Sequence, residues 1–445
     1  MANTYLSRTS GSPTNALKFT YSFWVKVASI STSDDTFLLD FNTDDNNRSN
    51  IGFNTAQQLV VYEKVSGSTV HLVVTNRVFR DPSAWYHITV KVDKTQSTAS
   101  DRTKIYVNGV EETSLSANTY PPQNTAGMIN TAVSTLIGKY SQNTYYFDGS
   151  LTHVHFVDGT AYDASTFGET DSTSGIWKPK TAPSVTYGNN GFFLKFENSG
   201  AMGTDSSGNS NTFAVGGGTL TQNVDTPTNN FITMNPLDNY YPNYTFANGN
   251  NTVTTGGNYS YTQATMYLDT GKWYWECKVV SKSGGGEEYM IGIQGKSVTA
   301  ANSPAQSNNG YTIYANDGQV YGWGATANYG SAYTAGDIIG VALDCTNNKL
   351  YWSKNGSWMG SGNPSTGSNG YSINAANTTA QGGYSPVAGF YASNNAVFNF
   401  NFGSGYFGTT AVASANADAN GHGAMEYALP SGYYTLNTKN IKEFG

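Results

Sequence analysis

The chain has 445 residues, enough for two or three domains with sizeable cores. Only 12% of residues are charged while 14% are aromatic, which excludes an ordinary disordered or coiled-coil protein, and 49 Gly with 13 Pro falls short of low complexity. The net charge of −7 is shared by both halves, so neither nucleic acid nor an anionic membrane is an expected partner.

The opening MANTYLSRTS has no basic stretch followed by an apolar one, and no apolar run approaches the ~18 residues of a membrane span. The expectation is synthesis in a cytoplasm without a signal peptide and no membrane insertion. Period-two alternation then dominates. Phe19, Tyr21, Phe23, Val25 and Val27 fall on one face of a predicted strand, with Thr20, Ser22, Trp24 and Lys26 on the other. Tyr86, Ile88, Val90 and Val92 repeat the pattern, and Ile105 and Val107 run into Asn108-Gly109, a pair that tolerates positive φ and suits a tight hairpin. Residues 201–230 are polar and glycine-rich and read as a connector with one short strand.

Strands resume beyond it. Trp273, Trp275, Cys277 and Val279 share a face, as do Ile339, Val341, Leu343 and Cys345, so the two cysteines are expected to be buried, reduced thiols. Asn355-Gly356 marks a second hairpin, and Phe398, Phe400 and Phe402 alternate with Val397, Asn399 and Asn401. The predicted fold is all-β: two antiparallel β-sandwich, jelly-roll-like domains at 1–200 and 231–403, with a polar connector between them and an extended tail at 404–445. Met425, Tyr427, Leu429, Tyr433, Tyr434, Leu436 and Ile441 crowd the tail beyond a polar linker. So short a segment builds no core of its own, and docking onto a partner chain is expected, in extended form because Pro430 and Gly432 interrupt a helix.

Trp85-Tyr86-His87, Lys104-Ile105-Tyr106-Val107-Asn108-Gly109, Ile137-Gly138 and Phe147-Asp148-Gly149-Ser150-Leu151 occur in an order that resembles the laminin G-like, concanavalin A-like jelly roll. GKWYWECKV, YMIGIQ, AGDIIGVALDCTNNKLYWSKNG and VFNFNFG resemble the SPRY domain. The flanking DTPTNNFITMNPL and YALPSGYYTLNTKNI are similar to segments that border SPRY-like domains in virion proteins of tailed bacteriophages, marine ones in particular. The resemblance implies a virion protein on the particle's exterior or tail, such as a tail fibre or capsid decoration, whose partners are other virion proteins and a bacterial surface glycan or protein receptor.

The chemistry is sought separately, because fold does not fix function. Retaining glycoside hydrolysis needs carboxyls about 5–5.5 Å apart, and no acidic residues stand at three alternating positions of one strand. The five histidines show no metal spacing, although His153 and His155 would share a strand face, and no Ser-His-Asp pattern or phosphate loop is present. Asp205-Ser206-Ser207-Gly208-Asn209 is the best cation candidate, with Asp205 and Asn209 as calcium ligands; a self-bonded Asx turn is the competing reading. No other cofactor is expected. Residues 355–417 contain no charged residue or His, and the stretch before them interleaves rings with Gly and Asn. Rings stack on sugar faces while amides bond hydroxyls, so Tyr311, Tyr314, Trp323, Tyr329 and Tyr333 are the expected ligand-binding residues, for a glycan or a protein. The expected function is non-enzymatic attachment by a homo-oligomer, with a trimer favoured; a glycan depolymerase and a purely structural spacer are the alternatives.

Overall fold

The computed structural model describes residues 3–28, 34–142, 145–239, 244–256, 260–284, 286–297, 310–322, 325–390 and 395–445. The chain divides into two compact units, residues 1–222 with 226–228, and 223–225 with 229–445. Each is an antiparallel sandwich, as its alternation requires, with a single core between two sheets.

In the first unit an eight-stranded sheet runs, in spatial order, Leu115–Thr119, Ser68–Val78, Gln58–Val65, Asn47–Phe53, Thr36–Asp44, Ser134–Ile137, Tyr5–Thr9 and Ala214–Gly216. Residues read as connector thus supply its edge strand. Facing it is a six-stranded sheet of Phe192–Leu194, Gly149–Asp158, Lys18–Val27, Trp85–Asp93, Thr103–Val107 and Val110–Glu111. Phe19, Tyr21, Phe23, Val25 and Val27 fill the core as their spacing predicts. Asn108 and Gly109 have φ of 49° and 82°, the left-handed pair that a tight hairpin needs. The second face of the strand Lys18–Val27 is buried too, with Trp24 only 3% exposed, because residues 160–187 fold back across the six-stranded sheet.

The second unit packs a seven-stranded sheet, centred on Ser385–Phe390 and Tyr289–Gln294, against a sheet centred on Lys272–Lys282 and Ile338–Asp344. Trp273, Trp275, Cys277, Phe398, Phe400 and Phe402 lie in its core. Both cysteines are buried and free, and burial raises both thiol pKa values, that of Cys345 to about 12.

The tail departs from expectation. Instead of awaiting a partner chain, it covers the outer face of its own sandwich. Met425 and Tyr433 bury against Tyr274, Ala342 and Tyr351, and Leu436 enters the main core. Tyr434 exchanges backbone hydrogen bonds with the strand Lys272–Lys282: its N–H donates to Lys272 O at 3.0 Å and its O accepts from Tyr274 N–H at 2.9 Å. That apolar sheet face supplies what the tail's side chains lack, so no second molecule is needed to bury them. The chain is extended through Pro430 and Gly432 but ends in a helix, Thr438–Phe444, capped by the Asn437 side chain, which accepts from Asn440 N–H.

Candidate functional site

The expected tyrosine site is mostly structural. Tyr333 is 1% exposed and donates its hydroxyl to Ile313 O at 2.9 Å, and Tyr311 is 5% exposed with its hydroxyl accepting from Asn374 N–H at 3.0 Å. Both belong to the core, which corrects their assignment as ligand-binding residues: the alternation of the strand Gly310–Tyr314 turns Tyr311 inward, and the loop bearing Tyr333 folds under the sheet. Tyr314 and Tyr329 stay half-buried. Tyr314 meets Tyr321 edge-on at 5.2 Å; Tyr329 meets Trp352 and Tyr371 edge-on at 5.5 and 6.1 Å and donates to Asn369 O. Trp323 lies outside the described residues.

Asp205 forms the Asx turn. One carboxylate oxygen accepts from Phe193 and Ser207 N–H, the other from Ser207 Oγ and Asn211 N–H. Asn209 turns its amide nitrogen to the carbonyls of Gly188 and Gly191 rather than an oxygen toward Asp205. The two residues therefore form the Asx turn rather than a calcium pair, because backbone and hydroxyl donors already occupy the carboxylate. His153 and His155 flank Phe193, and His155 bonds the Tyr187 hydroxyl at 2.8 Å, so they pack rather than converge on a metal. A cleft of about 450 Å³ beside the edge strand Ala214–Gly216 is lined by Met202, Phe213, Val215 and neighbouring Gly and Thr residues, with no titratable side chain.

Two buried clusters in the first unit resemble chemical machinery. Ser22 Oγ lies 2.8 Å from His87 Nε2, a pairing that no sequence pattern announces. Trp177 Nε1–H donates to His87 Nδ1 at 2.9 Å. The indole is a donor only, so Nδ1 is the acceptor and the neutral ring carries its proton on Nε2, which donates to Ser22. A histidine already protonated there does not draw a proton from Ser22, and burial lowers its pKa to about 3. In the second cluster Glu63 is fully buried with Lys94 Nζ at 2.7 Å and His71 Nδ1 at 3.3 Å. Burial opposes its ionisation, but Lys94 and His71 hold its pKa down to about 2. This is an internal ion pair, closed to substrate.

The remaining cluster lies on the outer face of the eight-stranded sheet. Asp40 and Asn42 project from the strand Thr36–Asp44, and Arg48 stands opposite Asn42 on Asn47–Phe53. Residues 140–142 roof all three: Ser141 N–H donates to Asp40 Oδ2 at 3.3 Å, Gln142 Nε2 to Asn42 Oδ1 at 3.0 Å, and Arg48 Nη1 donates to the Tyr140 hydroxyl. Each residue thus spends one polar atom on the roof. Asp40 Oδ1, Asn42 Nδ2, Arg48 Nε and the hydroxyl of Ser141 in the roof are buried without a formed hydrogen bond among the described residues, and that hydroxyl lies close enough to the Asp40 carboxylate to favour its charged form. The Arg48 guanidinium lies 5.6 Å from the ring centres of both Tyr62 and Tyr140, and Phe37 stacks on Tyr140 at 4.6 Å. Half-buried Val60, Tyr62 and Leu72 continue the face. Burial raises the Asp40 pKa to about 6, against the pull of the Ser141 hydroxyl and amide and of Arg48. Unpaired buried donors and acceptors cost about 1–3 kcal/mol each, and four of them, the Ser141 hydroxyl included, stand together here.

Sequence reading misses this cluster because it looks for acidic triplets, and Asp40-x-Asn42-x-Asp44 has an amide in the middle. The arginine is hidden as well. Regular pairing outward from Asp44↔Asn47 sets Asn42 opposite Ser49, but a bulge at Thr43 shifts the register by one and brings Arg48 opposite Asn42, onto the same face.

Comparison with known proteins agrees with the architecture. Residues 2–165 match the family model for the concanavalin A-like lectin/glucanases superfamily, and residues 272–405 match that for the SPRY domain. Ran-binding protein 9 and Ran-binding protein 10 of Danio rerio are 33% and 34% identical over 92 residues, which is 20% of this chain and 15% of each relative. Among solved structures, the SPRY domain of human HERC1 is 20% identical with a TM-score of 0.30, covering 38% of this chain and 96% of that one. A human SPRY domain is 18% identical with a TM-score of 0.27, covering 35% and 94%. No helix among the described residues is long and apolar enough to cross a membrane. The chain thus carries a laminin G-like, concanavalin A-like domain followed by a SPRY domain, both all-β modules of kinds that typically bind rather than catalyse.

Proposed function

We propose that this is a non-enzymatic virion protein of a tailed bacteriophage that attaches the particle to a bacterial surface glycan through the outer sheet face of its first domain. The observation that carries the binding role is the cluster of Asp40, Asn42 and Arg48, whose unpaired polar atoms lie beside the rings of Phe37, Tyr62 and Tyr140. Hydrogen-bonding side chains and ring faces are what a sugar offers contacts to, and a rigid sheet positions them.

Support for the virion role is the resemblance of the two segments flanking the SPRY domain. These segments meet: Phe231 bridges Asn437, Ile232 N–H donates to Leu436 O at 3.1 Å, and Thr438 N–H donates to Asn230 O at 2.9 Å. They form one extension of the second domain, so the two similarities count as one folded feature. Symmetric association into a homo-oligomer, a trimer in the favoured form, gives one particle several copies of a weak site and raises effective affinity by about 10²–10⁴.

Incubation of the purified protein with host surface polysaccharide tests this reading. Saturable binding with the chains left intact is expected. Shortening of the polysaccharide establishes a depolymerase instead, and neither binding nor cleavage leaves a structural spacer. Detection of the protein in washed phage particles by mass spectrometry tests the virion role.

A further inference from the structure

We infer that the cleft beside the edge strand Ala214–Gly216 docks an uncharged, extended peptide segment of a partner protein, which joins the eight-stranded sheet as one further antiparallel strand. The cleft lies apart from the Asp40, Asn42 and Arg48 cluster, and its occupant is independent of the glycan reading.

The hydrogen-bond phase of the edge defines the guest. Ser10 N–H donates to Val133 O at 2.9 Å, so the even-numbered residues of Tyr5–Thr9 turn their backbone groups toward Ser134–Ile137 and the odd-numbered ones toward Ala214–Gly216. Tyr5 and Ser7 thus bond Gly216 and Ala214, and Gly218 N–H continues the series to Asn3 O at 3.3 Å. Val215, opposite Leu6, is left with its N–H and C=O pointing away from the sheet, and neither forms a hydrogen bond among the described residues. Val215 is 47% exposed, so this edge is open to solvent. The chain itself begins a further strand here: Phe213, the neighbouring outward-facing residue, donates its N–H to Gly203 O at 2.8 Å. Gly203 approaches that closely because it has no side chain; a Cβ there would meet Phe213 O at 1.9 Å. That pairing stops short of Val215.

An antiparallel strand meets the need that remains. One of its residues exchanges two N–H···O bonds with Val215, and that residue's side chain falls on the same face as the Val215 side chain. This is the core side of the sheet, because Val215 stands opposite Leu6, a core residue. The incoming side chain therefore enters the cleft of about 450 Å³ lined by Met202, Phe213, Val215 and Leu220, where no titratable group is present to pair with a charge. An acyl chain fills such a cleft but leaves the Val215 N–H and C=O unpaired, whereas a peptide satisfies both.

The edge is also unguarded. Sheet edges are commonly protected by a charge, a proline or a bulge. Phe192–Leu194 runs into Lys195, Met234–Asn239 contains Pro236 and Asp238, and Leu115–Thr119 carries a bulge. Residues 206–224 contain neither a charged residue nor a proline. A neutral edge beside a neutral cleft matches a neutral strand.

The test is isothermal titration of the full chain with acetyl-Ser-Thr-Val-Thr-Ser-amide, with the same peptide carrying Lys in place of Val, and with the Val peptide methylated on the Val nitrogen. The parent peptide is expected to bind at least tenfold more tightly than either relative and to slow hydrogen exchange at the Val215 amide. Val215→Pro removes the outward N–H at an edge position where proline is tolerated, and Leu220→Lys puts a charge into the cleft. Each is expected to reduce affinity for the parent peptide at least tenfold, with circular dichroism confirming the fold and host polysaccharide binding unchanged. Equal binding of the methylated peptide overturns strand addition, and equal binding of the Lys peptide overturns the demand for a neutral strand. No binding of the parent peptide, or binding unchanged in the folded variants, overturns the inference and leaves the glycan reading standing.

Discussion

Both units have one sheet whose outer face is closed by an irregular segment of their own chain, and they close it with different chemistry. In the first, residues 160–187 lie over the six-stranded sheet with neutral groups buried beneath them: Trp177 stacks over His87, His87 over Trp24, and Thr20, Ser22 and Thr89 supply hydroxyls, while the one ion pair to the sheet, Lys91 with Asp163, is partly exposed. In the second, the tail closes over a carboxylate. Glu276 is buried beneath it and accepts from the N–H groups of Glu426 and Tyr427, both at 2.9 Å, from the Tyr274 hydroxyl and from Asn401 Nδ2. A neutral seal is indifferent to pH over the physiological range; a seal over a carboxylate without a cationic partner is not. The open sheet face of the first unit is the one that bears the candidate site.

The largest effect follows from removing the second seal. A chain ending at residue 419 loses Met425, Tyr433 and Leu436, all at most 1% exposed, and leaves Glu276 with two donors fewer. Loss of several core side chains at about 2–5 kcal/mol each exceeds the stability of most domains. Calorimetry is expected to show the second unit's transition lost and the first unit's retained. A truncated protein with both transitions intact refutes the account of the tail as part of the fold.

The equivalent cut in the first seal is milder because only one anchor is removed. Trp177→Ala abolishes the indole bond to His87 and the ring seated against Gly109 and Gly168, where an added Cβ would meet the indole at under 3.0 Å. A half-exposed tryptophan lost in this way costs about 2–3 kcal/mol. The thermal transition of the first unit is expected to fall while the second is unmoved; no change in either shows that the segment closes the face without Trp177.

These seals also mark how far the sequence can be read. Alternation identifies the core faces of Lys18–Val27 and Lys272–Lys282 because each apolar series has period two, and the hairpins at Asn108-Gly109 and Asn355-Gly356 because both pairs must take positive φ. It does not reveal that Ser22 and His87 on the opposite face are buried, since their cover comes from residues about 90–155 positions away and has no periodicity. The tail's apolar content is legible; its destination is not, because nothing local distinguishes its own domain from a partner. Tyrosine composition misleads for a similar reason: Tyr311 and Tyr333 look like surface rings, yet each hydroxyl finds a backbone partner inside.

The carboxylate seal predicts a pH dependence of defined sign. Burial raises the Glu276 pKa to about 7, although four donors favour the charged form, whereas an unfolded glutamate titrates near 4.5. The folded state therefore binds the proton more tightly. The resulting stabilisation is fully present below about pH 4.5, declines as pH rises, and is gone above about 7; a shift of this size is worth roughly 3 kcal/mol. The second unit's melting temperature is expected to fall from pH 4.5 to pH 7.5 in the natural chain. In Glu276→Gln, which has no proton to lose, that slope should flatten. An unchanged slope in the variant assigns the pH dependence to another group.

The smallest effect, and the sharpest contrast, lies at Ser22. Its hydroxyl accepts from His87 Nε2–H at 2.8 Å and from the Thr89 hydroxyl at 3.2 Å. Ser22→Ala removes the acceptor and leaves both donors buried, at a cost of about 1–3 kcal/mol. That cost is expected to be constant between pH 5 and pH 8, because burial keeps the His87 pKa near 3 and the ring neutral throughout the range. A protonated His87 would carry hydrogen on both nitrogens and turn Nδ1–H against Trp177 Nε1–H, so any titration in this range breaks the indole bond as well. Urea unfolding of the first unit, natural against Ser22→Ala, at pH 5 and pH 8 measures the difference directly. A cost that changes with pH shows that His87 titrates within the seal, and the distinction drawn between the neutral and the carboxylate closure fails.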